Sequence, residues 1–347
     1  IPAAHPPRRR LAGVSNDPSS PDARADAASS RNAPLGWIGS GRAAFLPSEA
    51  SDLERLPPLE SFIATLNLID TGARTSEDIY TGQSQWMPHG RIFGGQVAAQ
   101  SIIAATRTVS ELRPIHSMRG YFLRPGDIRY PITFAVDRIH DGGSFSTRHV
   151  QAFQQGEPIW SMIASFQIEE EGLDHQIDMP ADLPDPDTLE SEAEHVERAG
   201  ESLANYWVRR RPFAMRHVDG PIYLSPGPHT DPVDQVWIKA TGPLPDDPLV
   251  HRAALAYVSD YLMLDPALRR HGLAWTDPRI RVASLDHGVW WHRFARADEW
   301  LLFELRSPSS HGGRALSQGY FYDRRGRLVA SVSQEAMLRL KQAPAEG

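Results

Sequence analysis

His140-Asp141-Gly142-Gly143-Ser144 recurs 170 positions later as Ser310-His311-Gly312-Gly313-Arg314, and the echo continues on both sides. At the same offset Gly156 meets Gly326 and Ser161 meets Ser331. Upstream, Tyr121-Phe122-Leu123-Arg124 lies against Trp290-Trp291-His292-Arg293 with a slip of one residue. Matching turn glycines with strand-like segments between them mark two copies of one unit rather than a solenoid array. Each copy opens with a helix and continues in long strands joined by short turns. In the first, Gly94-Gly95-Gln96-Val97-Ala98-Ala99-Gln100-Ser101-Ile102-Ile103-Ala104-Ala105 is a helix of small residues that can lie close against a sheet. Strands are expected near 114–123, 130–139, 145–154 and 158–168. In the second, a helix is expected over about 249–264, with strands near 280–291, 300–307, 314–322 and 327–338. Val, Ile, Phe, Tyr and Trp crowd these strand segments, and Gly or Asp marks the turns. One helix wrapped by an antiparallel sheet, twice over, is an α+β architecture.

With 347 residues, 41% of them hydrophobic, the chain can fill two ordinary domains or one large one. A net charge of −7 without a basic stripe argues against nucleic acid as a partner. No apolar run approaches the roughly 18–20 residues of a membrane-spanning helix. The absence of cysteine excludes disulfides, thiolate metal sites and a cysteine nucleophile, and is compatible with a cytoplasmic location. Residues 1–52, rich in Pro, Ser, Ala, Asp and Arg, bury too little to offset ordering entropy and are expected to form a disordered extension. Arg8-Arg9-Arg10 is followed by no apolar segment, so a secretory signal is not expected. The missing initiator Met points to a processed or trimmed start, and Pro344-Ala345-Glu346-Gly347 is not a peroxisomal ending. The expected domains are 53–172 and 201–342. The acidic stretch 173–200, with Pro180, Pro184 and Pro186, is expected to be a surface linker.

Polar residues on apolar faces carry the chemical signal. Ala253, Tyr257, Tyr261 and Leu264 recur at helical spacing, and Asp260 falls inside their stripe. A buried carboxylate costs several kcal/mol unless it is partnered or protonated. The alternatives to a functional acid are a helix cap or a satisfied core acid, and a mid-helix position weighs against the cap. On the last strand, Gln334 is a lone amide on the face of Ala330, Val332, Ala336 and Leu338. A core glutamine bonded to backbone is the plain alternative. Ser284 shares a face with Ile280, Val282 and Trp290, where a serine is unremarkable by itself. Asp286 shares that face and His287 follows it, and both are rivals for any catalytic role.

An acid, a hydroxyl and an amide can together hold one water and take a proton from it. That chemistry is hydrolysis without a covalent intermediate. No Gly-x-Ser-x-Gly elbow, His-Glu-x-x-His zinc motif or phosphate-binding glycine loop is present. His140, His149, His271 and His311 are scattered and read as surface or structural residues.

Ordered motifs then give a resemblance. In the first half they are Gly90-Arg91-Ile92-Phe93-Gly94-Gly95-Gln96-Val97, His116-Ser117 through Gly126, and Asp141 through Arg148. In the second they are Tyr257-Val258-Ser259-Asp260, Ser284-Leu285-Asp286-His287, and Leu328 through Glu335. Together they resemble the acyl-CoA thioesterase II family over roughly residues 55–340. The resemblance implies a double hotdog fold, each half a long antiparallel sheet wrapped around a central helix. It also implies an acyl-CoA substrate, hydrolysis to free acid and CoA, and no metal or organic cofactor. The family's acid matches Asp260 and its amide matches Gln334. The hydroxyl, usually Thr, is here Ser284, which keeps the donor and acceptor but loses the methyl that fixes the rotamer. A backbone amide near a helix start would serve the oxyanion. Gly94 and Gly95 could admit a ligand or simply let helix and sheet pack. Arg293 and Arg314 are candidates for the CoA phosphates, and the two halves leave room for a homo-oligomer formed through their sheets. Two other readings stay open: a hotdog enoyl-CoA hydratase, which needs a His near the Asp, and an acyl-CoA-binding module without chemistry.

Overall fold

The computed structural model describes residues 50–74, 76–199 and 208–341. The extension expected over 1–52 therefore lies outside the described residues except for its last three positions. The α-helices are α1 (Ala50–Arg55), α2 (Pro58–Thr65), α3 (Gly94–Thr106), α4 (Glu192–Ala199), α5 (Pro248–Ser259) and α6 (Asp265–Arg270). The strands of the first half are β1 (Ile69–Arg74), β2 (Asp78–Gly82), β3 (Ile115–Phe122), β4 (Ile132–Asp141), β5 (Phe145–Gln154) and β6 (Glu157–Gln167). Those of the second are β7 (Phe213–His217), β8 (Val233–Ala240), β9 (Ile280–Ser284), β10 (Asp286–Trp291), β11 (Leu301–His311), β12 (Arg314–Asp323) and β13 (Leu328–Leu340).

All these strands join one antiparallel sheet in the order β1-β2-β4-β5-β6-β3-β10-β13-β12-β11-β8-β7, with β9 added on β13. Outward from the β3–β10 junction, the strands on the two sides follow the same rank order. At the junction Gly288 stands opposite Arg119 and Val289 opposite Met118.

Inside the sheet lie α3 and α5, packed on each other. Every residue of α3 from Gly95 to Ala105 is buried, as its run of Ala, Ile and Val requires. A Cβ on Gly95 would stand 2.2 Å from the Tyr257 carbonyl oxygen, so this glycine sets how closely the helices approach. Pro248 occupies the first turn of α5, and the Asp247 side chain caps it by accepting from the Leu249 N–H at 2.8 Å.

Three expectations need correction. The helix expected over 249–264 ends at Ser259, and Asp260 is its C-cap rather than a mid-helix residue. The apolar spacing ran on because α6 follows after one turn and buries its own apolar side chains. The strand expected over 280–291 breaks at Leu285, whose N–H donates to the Glu335 carbonyl while its carbonyl accepts from Phe122. Four strands, β1, β2, β7 and β8, escaped the sequence reading because they are short or carry mixed polar residues.

The stretch 173–199 runs over the second half. Gln176 bonds the backbone of Gly326 and Leu328, and Met179, Leu183 and Leu189 pack on Trp237, Trp300 and Tyr322. Among the described residues no helix is long and apolar enough to cross a membrane.

Candidate functional site

Where the N-terminus of α3 meets the C-terminus of α5, five polar side chains form a ring of hydrogen bonds. It begins at Ser259, the last residue of α5. Its Oγ lies 2.8 Å from His287 Nε2, and His287 Nδ1 lies 2.5 Å from Gln334 Oε1. Gln334 Nε2 donates to Ser284 Oγ at 2.9 Å, and the Ser284 hydroxyl faces Asp260 Oδ1 at 3.5 Å. The ring thus starts and ends on neighbouring residues of one helix end.

Strand geometry brings these groups together. Gln334 lies mid-way along β13 on its buried face, with Val332 and Ala336 to either side. Ser284 ends β9 opposite Ala336, one inward position from Gln334. The break at Leu285 lets β9 and β10 both follow β13, and it seats His287 next to Gln334.

Asp260 accepts from the backbone N–H of Gly95, from the Gln334 amide and from the Ser284 hydroxyl. These donors favour the carboxylate, as does the positive end of α3. Burial outweighs them and raises the Asp260 pKa to about 7. A carboxyl so poised is a base near neutral pH. Burial lowers the His287 pKa to about 4, so its imidazole is neutral. With the carbonyl oxygen of Gln334 turned toward it, His287 carries its proton on Nδ1.

The surroundings are aromatic and close. Phe93 stacks on Tyr261 at 4.5 Å between centroids and meets Tyr257 edge-on at 5.0 Å. The Tyr257 hydroxyl donates to Gln85 Oε1 at 2.6 Å. A Cβ on Gly94 would come 2.6 Å from Asp260 Oδ2 and 2.7 Å from the Phe122 ring, so glycine keeps space open beside the acid.

Asp260, Ser284, Gln334, Gly94 and Gly95 are therefore brought together. Arg293 and Arg314 are not. Arg314 alternates with buried Ala315 and Ser317, so it faces outward, where its Nε donates to Glu335 at 2.9 Å. Arg293 pairs with Asp174 and donates to the Leu328 carbonyl, which ties the 173–199 stretch down. Asp286 is also committed elsewhere: it takes Arg119 Nη2 at 2.6 Å and the Glu335 N–H at 2.7 Å. The sequence offers His287 only as a rival for a catalytic role, and it gives Ser259 no role of its own. A hydroxyl next to the acid, directly after the mostly apolar run 253–258, is the available signal. Among the described residues no three His, Asp or Glu side chains are placed to hold a metal ion.

Comparison with known proteins gives a consistent result. The family model described as "Acyl-CoA thioesterase" matches residues 220–337, and that described as "Acyl-CoA thioesterase N-terminal domain" matches residues 83–167. Human acyl-coenzyme A thioesterase 8 is 34% identical over 284 residues, covering 76% of this chain and 86% of the human one. Acyl-CoA thioesterase 2 of Haemophilus influenzae is 33% identical over 270 residues, covering 76% of this chain and 93% of its own length. The crystal structure of an acyl-CoA thioesterase II, TesB2, from Mycobacterium marinum superposes with a TM-score of 0.65 at 39% identity, over 83% of this chain and 99% of that one. An Alicyclobacillus acidocaldarius protein described as having a hot dog fold superposes at 0.66 with 19% identity, over 82% of this chain and 99% of that one, a likeness of fold alone.

Proposed function

The chain belongs to the acyl-CoA thioesterase family and hydrolyses the thioester bond of acyl-CoA, and we propose that it does so with a water held by Asp260, Ser284 and Gln334. The observation that carries this assignment is the convergence of the three side chains at the end of α5, where burial pushes the Asp260 carboxyl pKa up to about 7. Asp260 takes a proton from the water as its oxygen attacks the thioester carbonyl. Ser284 and Gln334 fix the remaining hydrogen bonds of that water. Collapse of the tetrahedral species breaks the C–S bond, and the proton on Asp260 is then available to the leaving sulfur.

The fold in this reading is a tandem double hotdog, with halves over 53–172 and 201–342. Its support is the matching strand order on either side of the β3–β10 junction, each half enclosing one buried helix. The first half supplies no acid. Its part is the N-terminus of α3, where Gly94 and Gly95 allow backbone to approach the reacting atoms and partial positive charge suits a developing oxyanion. Association of two copies through the outer sheet face belongs to the same reading, supported by Tyr121 and Ile163, both 54% exposed.

Thiol release from acyl-CoAs of graded chain length, measured for the parent and for Asp260→Ala, tests the assignment. Loss of release at every length, with the variant folded, supports it; release at the parental rate overturns it. Crotonyl-CoA in the same assay reports on hydration, which would yield 3-hydroxyacyl-CoA without free thiol.

A further inference from the structure

Two members of the ring, Ser259 and His287, have no task in the chemistry so far. We propose that they are positioning residues that fix which way round the Gln334 amide sits, so that its NH2 faces Ser284 and the attacking water. The inference rests on the catalytic reading of Gln334 and deepens it.

A primary amide fits its site in two orientations of nearly equal shape, which differ only in where the donor and acceptor stand. The difference matters here. With the NH2 toward Ser284, the Ser284 hydroxyl is free to give its proton to Asp260, and the carboxylate keeps three donors. With the carbonyl toward Ser284, the serine proton goes to that oxygen instead. Asp260 then loses both side-chain donors and keeps only Gly95. Nothing on the Ser284 side forbids the second orientation, since a hydroxyl serves equally as donor or acceptor.

Selection then falls to the groups beyond that hydroxyl: Asp260 on one side, and His287 at the far end of the amide. His287 and Ser259 are fully buried, and Gln334 is 3% exposed, so bulk water cannot substitute for either partner. A neutral imidazole donates from one nitrogen only. Ser259 Oγ, 2.8 Å from Nε2, can give its proton there and leave Nδ1 as the donor to Gln334 Oε1. The same hydroxyl also lies 3.1 Å from the Ala256 carbonyl. Giving its proton to that carbonyl would make Nε2 the donor and reverse every bond of the ring. The ring therefore has two settings, and the ionised carboxylate of Asp260, which must accept, matches only the first. Ser259 and His287 hold that setting before substrate arrives.

The test uses the whole chain with His287→Leu, His287→Asn and Ser259→Ala, together with Gln334→Ala alone and combined with His287→Leu or Ser259→Ala. Folding is checked by circular dichroism. His287→Leu should lower kcat about 30- to 300-fold with KM within about threefold, the scale of losing one preorganised donor. His287→Asn places an N–H where Nδ1 stood and should return kcat to within about tenfold of the parent. On the Gln334→Ala background, His287→Leu should cost less than about threefold, because no amide remains to orient. A merely structural histidine would instead lower kcat on both backgrounds and gain nothing from Asn. Parental kcat for His287→Leu, or equal losses on both backgrounds, overturns the proposal. Where His287→Leu fails to fold, Ser259→Ala gives the same comparison. A loss of about tenfold on the parent and none on Gln334→Ala supports the proposal, and any other pattern overturns it. Parental activity of Gln334→Ala itself overturns the catalytic reading and this one with it. A slow Gln334→Ala beside an unaffected His287→Leu overturns the positioning role alone.

Discussion

The backbone N–H of Gly95, in the first turn of α3, donates to the carboxylate of Asp260 at the end of α5. The donor belongs to the first half and the acid to the second, so the electrostatic environment of the acid is built by both. The positive end of α3 favours the ionised form; burial opposes it and prevails.

The pH dependence of hydrolysis follows. A base must be ionised, so kcat/KM should rise with pH through an apparent pKa of about 7 and level off above it. Activity should fall close to tenfold per pH unit below about 6. Initial rates of thiol release between pH 5 and 9 check this; a profile flat down to pH 5 would contradict the assignment of Asp260.

Asp260→Asn should separate activity from stability. Proton transfer by a positioned side chain contributes about 10²–10⁴-fold, and a loss of that size in kcat is expected. Stability should move the other way. The folded pKa of Asp260 lies above its unfolded value, so the folded state binds the proton more tightly. The contribution of this carboxyl to stability is then fully present below about pH 4 and is lost as pH rises through 7. Asn never ionises, so the variant should gain on the parent by on the order of 1–3 kcal/mol at pH 8.5 and by little at pH 4.5. Denaturant unfolding at the two pH values reads the difference.

The hydroxyl member should tolerate its close relative. Ser284→Thr keeps donor and acceptor and adds a methyl that restricts the rotamer, so kcat should stay within about threefold of the parent. Ser284→Ala removes one hydrogen bond to the water and one to Asp260, and a fall of about 10- to 100-fold is expected. Steady-state kinetics of the two variants, side by side, give the answer.

Adjacent glycines should respond differently. In Gly95→Ala the new carbon would sit 2.2 Å from a backbone oxygen of α5, which only a shift between the helices can relieve. A stability loss of about 1–3 kcal/mol is expected. In Gly94→Ala the carbon meets the Asp260 carboxylate and the Phe122 ring, both side chains. That variant should lose activity out of proportion to its change in melting temperature.

Long strands and both central helices could be read from the chain, because their apolar residues keep a steady period and their turns carry glycine. Edge elements such as β1, with Asp70, Thr71 and Gly72, lack that period and are defined by pairing partners far away in sequence. Asp260 stood out for its polarity, yet its place at a helix end was hidden, since the apolar spacing from Tyr257 to Leu264 runs over the turn into α6. Arg293 and Arg314 show the opposite failure. A charged side chain written in a sequence gives no sign of the carboxylate it will meet, and here Asp174 and Glu335 claim them. His287 was visible as a candidate, but its partnership with Gln334 depends on the break at Leu285, which no local pattern announces.

The β3–β10 junction has one more consequence, which concerns synthesis rather than catalysis. β3 is complete when Phe122 has been joined to the chain, and β6 can cover one of its edges as soon as Gln167 follows. The other edge has no partner until Asp286 through Trp291 emerge. At about 5–20 residues per second, that wait lasts roughly 8 to 33 seconds on every ribosome. Throughout it the nascent chain carries an open strand edge able to pair with the same edge on a neighbouring nascent chain. Expression yield should therefore depend on translation speed and chaperone supply more than the stability of the finished enzyme would suggest.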